Sequence, residues 1–113
     1  MPRVFKTVGV SLPPELVEYV QDLSTSLYHG NRSLIFREGL YFVLWNLEEA
    51  LEEAIKLLEE GKDLEEEAIK RDGPISYYLL SIGYSGKSKE ELEDLLKRTK
   101  AIKKRLEREL YYV

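Results

Sequence analysis

The sequence predicts a mostly α-helical chain with one short N-terminal β-strand, paired across a homodimer, and an all-helical C-terminal extension. Three observations predict this fold. Val8, Val10 and Leu12 alternate with small or polar residues, as in a half-buried strand. Apolar residues recur every three or four positions over most of the remaining chain, as in amphipathic helices. No second convincing strand follows, so the strand is expected to pair with its copy in another chain.

The elements follow in order from local signals. The strand covers residues 4–12 and ends at Pro13, and Pro14 suits the first turn of a helix that runs to residue 27 or 28. A turn at Gly30 leads to a second helix, which begins at residues 31–33 and continues to residue 60, with Gly61 as its C-terminal cap.

Three further helical segments complete the prediction. A short helix covers residues 64–71, and another covers residues 75–82, opened by Pro74. Ser88 and Glu91 have the spacing of a capping box, which predicts a last helix from residue 89 towards residue 112. We divide the chain into residues 1–47, a module for dimerisation and binding, and residues 48–113, a helical extension.

Composition excludes several classes of function. The chain has 113 residues, no cysteine and one histidine, so disulfides, thiolate metal sites and histidine clusters are excluded. No apolar run approaches the roughly 18 residues that a membrane span needs, and we expect a cytoplasmic protein that does not contact membranes. No pair of nucleophile and base, no phosphate-binding glycine loop and no metal-ligand spacing is visible, so the sequence predicts neither an enzyme nor a cofactor.

Charge is distributed unevenly along a chain whose net charge is −4. Residues 1–47 hold four acidic and four basic residues, residues 48–72 are strongly acidic, and residues 97–108 are basic. For the acidic stretch a solvated helix face is the favoured interpretation. For the basic stretch it is a solvated flank of the last helix, with an additional nucleic-acid contact as the alternative.

Two motifs in the first half of the chain resemble a known family. The segment Val8-Gly9-Val10-Ser11-Leu12-Pro13 and the turn Gly30-Asn31-Arg32-Ser33, followed by a helix with Phe36-Arg37-Glu38-Gly39-Leu40, resemble the ribbon-helix-helix superfamily of CopG-like, Arc and MetJ repressors. The resemblance covers residues 3–47. It implies a homodimer that inserts a two-stranded β-ribbon into the major groove of double-stranded DNA, as a sequence-preferring transcriptional repressor.

The resemblance also implies site residues. The outer face of the ribbon would contact bases, and the ribbon end with the start of the second helix would contact phosphates. The base contacts are Thr7, Gly9 and Ser11. The phosphate contacts are Arg3, Lys6, Asn31, Arg32 and Ser33. The dimer core is Val8, Val10, Leu12, Phe36, Leu40, Val43 and Leu44.

The sequence departs from this expectation in two ways, and alternatives stay open. Gly9 has no side chain with which to read a base, and residues 1–47 carry no excess positive charge to attract phosphates. One alternative is an antitoxin, in which the acidic stretch 48–67 masks a basic protein partner. Another is a structural helical dimer that does not bind DNA. In the favoured interpretation, a ribbon-helix-helix homodimer, the C-terminal helices would extend the dimer interface, join dimers into tetramers or receive a protein partner.

Overall fold

The structure, a computed structural model, describes residues 9–111, with side chains described for residues 9–108. This part of the chain contains five helices: α1 (Pro14–Leu27), α2 (Arg32–Glu59), α3 (Leu64–Ile69), α4 (Gly73–Ser85) and α5 (Lys89–Tyr111). Two compact units are present, one up to residue 35 and one from residue 36 onwards, and α2 runs through the boundary. The predicted division at residue 47 concerned function and stays a prediction.

The predicted ribbon-helix-helix fold is wrong for the residues that the structure describes. Residues 9–13 have no regular structure, α1 begins directly after them, and residues 9–111 contain no strand. Val10 is 57% exposed, so the alternating pattern does not bury an inner face here. A strand is held by hydrogen bonds to a neighbouring strand, and the described part of the chain offers none. The part of the predicted strand before Gly9 lies outside the described residues.

The helices begin and end where local signals predict. Pro14 occupies the first turn of α1, where a missing N–H leaves no hydrogen bond unmade. The N–H of Gly30 donates to the carbonyl of Ser24 at 2.9 Å, and Gly30 has a φ of +80°, which closes the C-terminus of α1. At the end of α2 the N–H of Lys62 donates to the Leu57 carbonyl at 2.9 Å, around Gly61.

The unit from residue 36 onwards is built on a small apolar core. The core lies between the second half of α2 and helices α3, α4 and α5, and partly buried leucines and isoleucines pack against it. Leu51, Leu79 and Leu92 are its largest fully buried side chains. Truncating one of them to alanine costs about 2–5 kcal/mol, because a cavity adds to the lost burial. The buried apolar residues are Ala50, Leu51, Ala54, Leu57, Leu64, Ala68, Leu79, Ile82 and Leu92.

Helices α3 and α4 pack directly against each other. The Ser76 hydroxyl donates to the Ala68 carbonyl at 2.7 Å, and the same carbonyl accepts the N–H of Arg71 at 3.1 Å. These bonds link the start of α4 to the end of α3. Gly83 sits against the start of α3: a Cβ at this position would lie 3.3 Å from Cγ of Glu65 and 3.4 Å from Cβ of Leu64. The absence of a side chain at residue 83 therefore lets the two helices approach.

The capping box predicted at the start of α5 is present. The N–H of Glu91 donates to the Ser88 hydroxyl at 3.2 Å, and the N–H of Ser88 donates to Oε1 of Glu91 at 3.1 Å. These hydrogen bonds lower the pKa of Glu91, because they stabilise the ionised carboxylate. The capping box thus fixes where α5 begins.

Candidate functional site

One face of α2 is buried along its second half and exposed along its first half. Residues at alternating spacings of four and three lie on the same side of a helix, and seven apolar positions of α2 follow that spacing. Ala50, Ala54 and Leu57 belong to the core, at 2% exposure or less. Phe36, Leu40 and Val43 are 41%, 47% and 42% exposed. We call Phe36, Leu40 and Val43 the open seam, because they continue the core face beyond the helices that cover it.

An aromatic cluster lies on a different side of α2 from the open seam. Tyr41 is buried, and its ring centre lies 5.9 Å from that of Phe42 and 6.0 Å from that of Trp45. Phe42 and Trp45 keep about half of their surface exposed. The edge-on geometry of Tyr41 and Phe42 is favourable for aromatic rings and holds the cluster in one arrangement. The first half of α2 therefore exposes a large apolar area on a rigid support.

The N-terminal unit exposes a second set of apolar side chains. In α1, Leu16, Val20, Leu23 and Leu27 follow the same four-three spacing, and Leu16 and Leu27 are largely exposed. Val17 and Tyr19 are exposed beside them. Monomeric proteins rarely leave so many large apolar side chains exposed in a short segment, and such surfaces mark interaction sites.

The predicted base contacts are only partly described. Gly9 and Ser11 lie in the irregular segment before α1, and both are exposed. Thr7 lies outside the described residues, as do the predicted phosphate contacts Arg3 and Lys6 and the predicted dimer-core residue Val8. The described residues therefore do not bring the predicted base contacts together on one surface that could contact DNA.

The predicted phosphate contacts at the turn lie together at the start of α2. Asn31 caps the helix: its Oδ1 accepts from the N–H of Leu34 at 3.1 Å, so this side chain is already engaged. Arg32 and Ser33 are exposed beside it. Arg32 shares a shallow polar depression with Asp22, whose charge opposes an anion there, and with Ser24, whose buried hydroxyl has no hydrogen-bond partner within the described residues.

The remaining dimer-core predictions fall on exposed or half-buried apolar positions. Val10 is exposed and Leu12 is half-buried in the irregular segment, and Leu44 is half-buried in α2. Phe36, Leu40 and Val43 form the open seam. Leu16 and Leu27 were not among the residues predicted for the dimer core, although their four-three spacing is a signal that could have placed them there.

The acidic second half of α2 faces basic residues of α5. Nζ of Lys89 lies 2.9 Å from Oε1 of Glu59, and Nζ of Lys100 lies 3.2 Å from Oε1 of Glu52. Lys103 contacts Glu48 in the same way. Glu59 raises the pKa of Lys89, since a hydrogen-bonded carboxylate favours the charged ammonium. The residue number in α5 rises from 89 through 100 to 103 as that of its partner in α2 falls from 59 through 52 to 48. The two helices therefore run antiparallel.

Arg71 forms ion pairs with Glu53 and Glu67. Its Nη2 lies 2.7 Å from Oε1 of Glu53, and its Nη1 donates to the Glu67 carbonyl at 2.7 Å. Lys70 donates to Oε2 of Glu67 at 2.8 Å, and this contact lowers the pKa of Glu67 and raises that of Lys70. An open depression of about 540 Å³ lies beside Arg71. It is lined by Glu49, Glu52, Glu53, Lys56, Arg71 and Ile75.

The charged side chains described above are engaged in ion pairs. Within residues 9–108, no group of three or more His, Asp or Glu side chains is arranged to hold a metal ion. None of the helices in the described part of the chain is both long enough and apolar enough to span a bilayer. Comparison with protein-family models, curated sequences and solved structures finds no match to this chain. Its function is therefore argued from its own geometry.

Proposed function

We propose that this chain is a self-associating helical protein, and that two copies form a homodimer through the open seam of α2. The observation that carries the proposal is the face of α2 that is buried from Ala50 to Leu57 and exposed at Phe36, Leu40 and Val43. A helix face of this kind is stabilised when another helix covers it, because exposed apolar area is removed from water.

A second copy fits the open seam better than an unrelated occupant. The four-three spacing is the pattern by which helices pack lengthwise against each other, so the same segment of another chain offers matching spacing. Residues 1–47 carry equal numbers of acidic and basic residues, so two copies do not repel each other through net charge at this end. An isologous dimer, in which the same patch meets itself, is also the commonest assembly of soluble proteins.

Each unit exposes apolar side chains that a second copy could cover. Ten large apolar side chains between residues 10 and 45 are at least 38% exposed. Those of the N-terminal unit are Val10, Leu16, Val17, Tyr19 and Leu27, and those of the first half of α2 are Phe36, Leu40, Phe42, Val43 and Trp45. Covering such side chains removes apolar area from water and favours association.

The other functions considered from the sequence have less support. Sequence-preferring DNA binding and repression stay predictions, since of the base contacts only Gly9 and Ser11 are described, and they lie on irregular backbone. The antitoxin alternative required acidic residues that could meet a basic partner. Six glutamates of the stretch 48–67 already contact basic residues of their own chain, which leaves fewer carboxylates to meet a basic partner. They are Glu48, Glu52, Glu53, Glu59, Glu60 and Glu67.

The proposal is tested by measuring mass in solution with the full chain. Analytical ultracentrifugation at about 100 µM should give twice the 13.2 kDa mass of one chain. Leu40→Glu places a charge in the open seam and should give a monomer with an unchanged helical circular dichroism spectrum. Ile69→Glu is the matched control, because Ile69 is an aliphatic residue on α3 that is 80% exposed and far along the chain from the seam. This control should remain a dimer.

Cross-linking gives a second test with a different readout. The sequence contains no cysteine, so a single introduced cysteine reports only contacts between copies. Among Phe36→Cys, Leu40→Cys and Val43→Cys, at least one should form an intermolecular disulfide under mild oxidation, and Ile69→Cys should not. A wild-type chain that sediments as a monomer, with no preferential cross-linking at the seam, contradicts the homodimer.

A further inference from the structure

The outer side of α5 carries basic residues that no acid in the described part of the chain neutralises. Lys97, Arg98, Lys104 and Arg108 are exposed, and none of them lies within ion-pairing distance of a carboxylate among residues 9–108. We call these four residues the cation face. Lys100 and Lys103, the neighbours that do have acidic partners, point towards α2 and are not part of it.

The cation face is a compact row. With about 100° of rotation and 1.5 Å of rise per residue, Lys97, Lys104 and Arg108 lie within about 40° of one another around the helix axis, over about 16 Å. Arg98 lies beside the row. Glu90 and Asp94 occupy the same side of α5 before Lys97, so the basic surface begins sharply at that residue.

Helix stability does not explain this row. Cations stabilise a helix by interaction with its dipole only within about the last turn, and α5 continues to Tyr111, so this effect covers Arg108 but not Lys97 or Arg98. Lys104 and Arg108 are four residues apart, and like charges at that spacing destabilise a helix. The repulsion is relieved if a polyanion binds.

We propose that the cation face binds the phosphate backbone of double-stranded DNA. Four long basic side chains on a rigid helix can each neutralise a phosphate, which releases counterions and drives binding. The face offers only the charged ends of lysine and arginine, which suit phosphate oxygens, and no exposed aromatic ring on which a base could stack. We therefore expect contacts to the backbone with little preference for sequence.

Other polyanions fit the face less well. Single-stranded nucleic acids are usually held by aromatic side chains on which bases stack, and the face has none. A membrane-surface helix inserts its apolar side into lipid, but the opposite side of α5 is used in the protein core, where Leu92 and Thr99 are buried. A duplex backbone needs neither feature.

Fluorescence anisotropy of a labelled duplex of about 20 base pairs with the full chain tests the proposal. Binding should weaken steeply with salt, with a slope of log K against log salt of about −3 to −4 for four phosphate contacts. Two duplexes of unrelated sequence should bind within about threefold of each other. The duplex should bind more tightly than a single strand of the same length.

Two triple variants locate the contact. K97Q/K104Q/R108Q should weaken binding at least about tenfold at low salt and reduce the salt slope by about 2–3. K56Q/K62Q/K87Q changes net charge by the same amount at lysines outside α5, and it should bind within about threefold of wild type. Both variants should keep the helical spectrum, and their mass in solution separates a failure of DNA binding from a failure of the proposed dimer.

Three results would overturn the proposal. They are no binding to the duplex at low salt, equal losses in the two triple variants, and binding to vesicles that contain phosphatidylserine without binding to the duplex.

Discussion

The ammonium nitrogen of Lys103 lies 4.5 Å from the centre of the Trp45 ring, on the side of α2 that faces α5. The same ammonium group contacts the carboxylate of Glu48, one helical turn further along α2. The side chains of Lys103 and Glu48 are only 18% and 17% exposed, so this contact is better shielded from water than the other ion pairs between α2 and α5. A cation between a ring and a carboxylate thus joins the two long helices.

This arrangement predicts a measurable coupling between residues 48 and 103. Lys103→Met should lower the free energy of unfolding by about 1–2 kcal/mol, because it removes the contact with the ring and leaves the Glu48 carboxylate without its partner. Glu48→Gln alone should cost less. In the double variant the losses should not add, and the coupling energy from urea unfolding should be about 0.5–1 kcal/mol. Strictly additive losses would show that the two side chains act independently.

The pKa of Glu67 predicts how stability responds to acid. Lys70 lowers this pKa below its ordinary value of 4.5, so folding favours the ionised carboxylate. The stabilisation is complete above the ordinary pKa and is lost as pH falls through the lowered pKa of the folded state. Glu67→Gln should therefore melt at a lower temperature than wild type at pH 7, and the difference should shrink at pH 3.

Thermal unfolding followed by circular dichroism from pH 7 to pH 3 checks this prediction. Glu66→Gln is the control, because Glu66 is exposed on the same helix. A difference between wild type and Glu67→Gln that stays constant over the whole pH range would exclude the contact with Lys70 as its cause.

The capping box predicts that the start of α5 depends on Ser88. Ser88→Ala removes the hydroxyl that accepts from the N–H of Glu91, and it should destabilise the fold by about 1 kcal/mol in urea unfolding. Ser81→Ala is the matched control, since Ser81 is exposed within α4 and alanine favours a helix interior. If the two variants unfold at the same urea concentration, the cap contributes nothing.

The close approach of α3 and α4 predicts a graded response at Gly83. Gly83→Ala gains helix propensity, and the nearest atom to the new Cβ belongs to the exposed Glu65 side chain, which can move. Its stability should lie within about 0.5 kcal/mol of wild type. Gly83→Leu should destabilise the fold by about 1–3 kcal/mol, because the larger side chain pushes α3 away. Equal effects of the two substitutions in urea unfolding would argue against tight packing here.

The helices could be predicted closely because their signals are local. Pro14 at the start of α1, Gly61 after α2 and the pair Ser88 and Glu91 before α5 each act within a few residues, and the structure places a helix end at each of them. Apolar spacing between these signals then identified the apolar faces of the helices, of which only that in the second half of α2 and those of the later helices contribute to the core. Such features do not depend on distant parts of the chain.

The strand was also predicted from local signals, but a strand is stabilised by hydrogen bonds to another segment. For this reason the prediction was wrong. Three alternating residues around Gly9 are consistent with a strand, yet a strand forms only when another strand accepts its hydrogen bonds. In the described residues the segment 9–13 has no such neighbour. The resemblance to a family rested on the same segment, so it carried the same weakness.

The candidate surfaces were predicted in part. Phe36, Leu40 and Val43 could be assigned to an interface from helical spacing, and they are exposed in the chain. The pairing of Glu52 with Lys100 could not be predicted, because it depends on the alignment of α2 and α5 that the core imposes. For the same reason the sequence could not distinguish the basic residues that are neutralised from those that are exposed without an acidic partner.

The ion pairs between the antiparallel helices α2 and α5 also constrain which substitutions this chain can accept during evolution. A reversal of sign at residue 48 alone would place two like charges against each other beside an aromatic ring, whereas a matching reversal at residue 103 would restore attraction. Among descendants of this sequence, positions 48 and 103 should therefore exchange their charges together or not at all, while residue 97 drifts independently of any acidic position in its own chain.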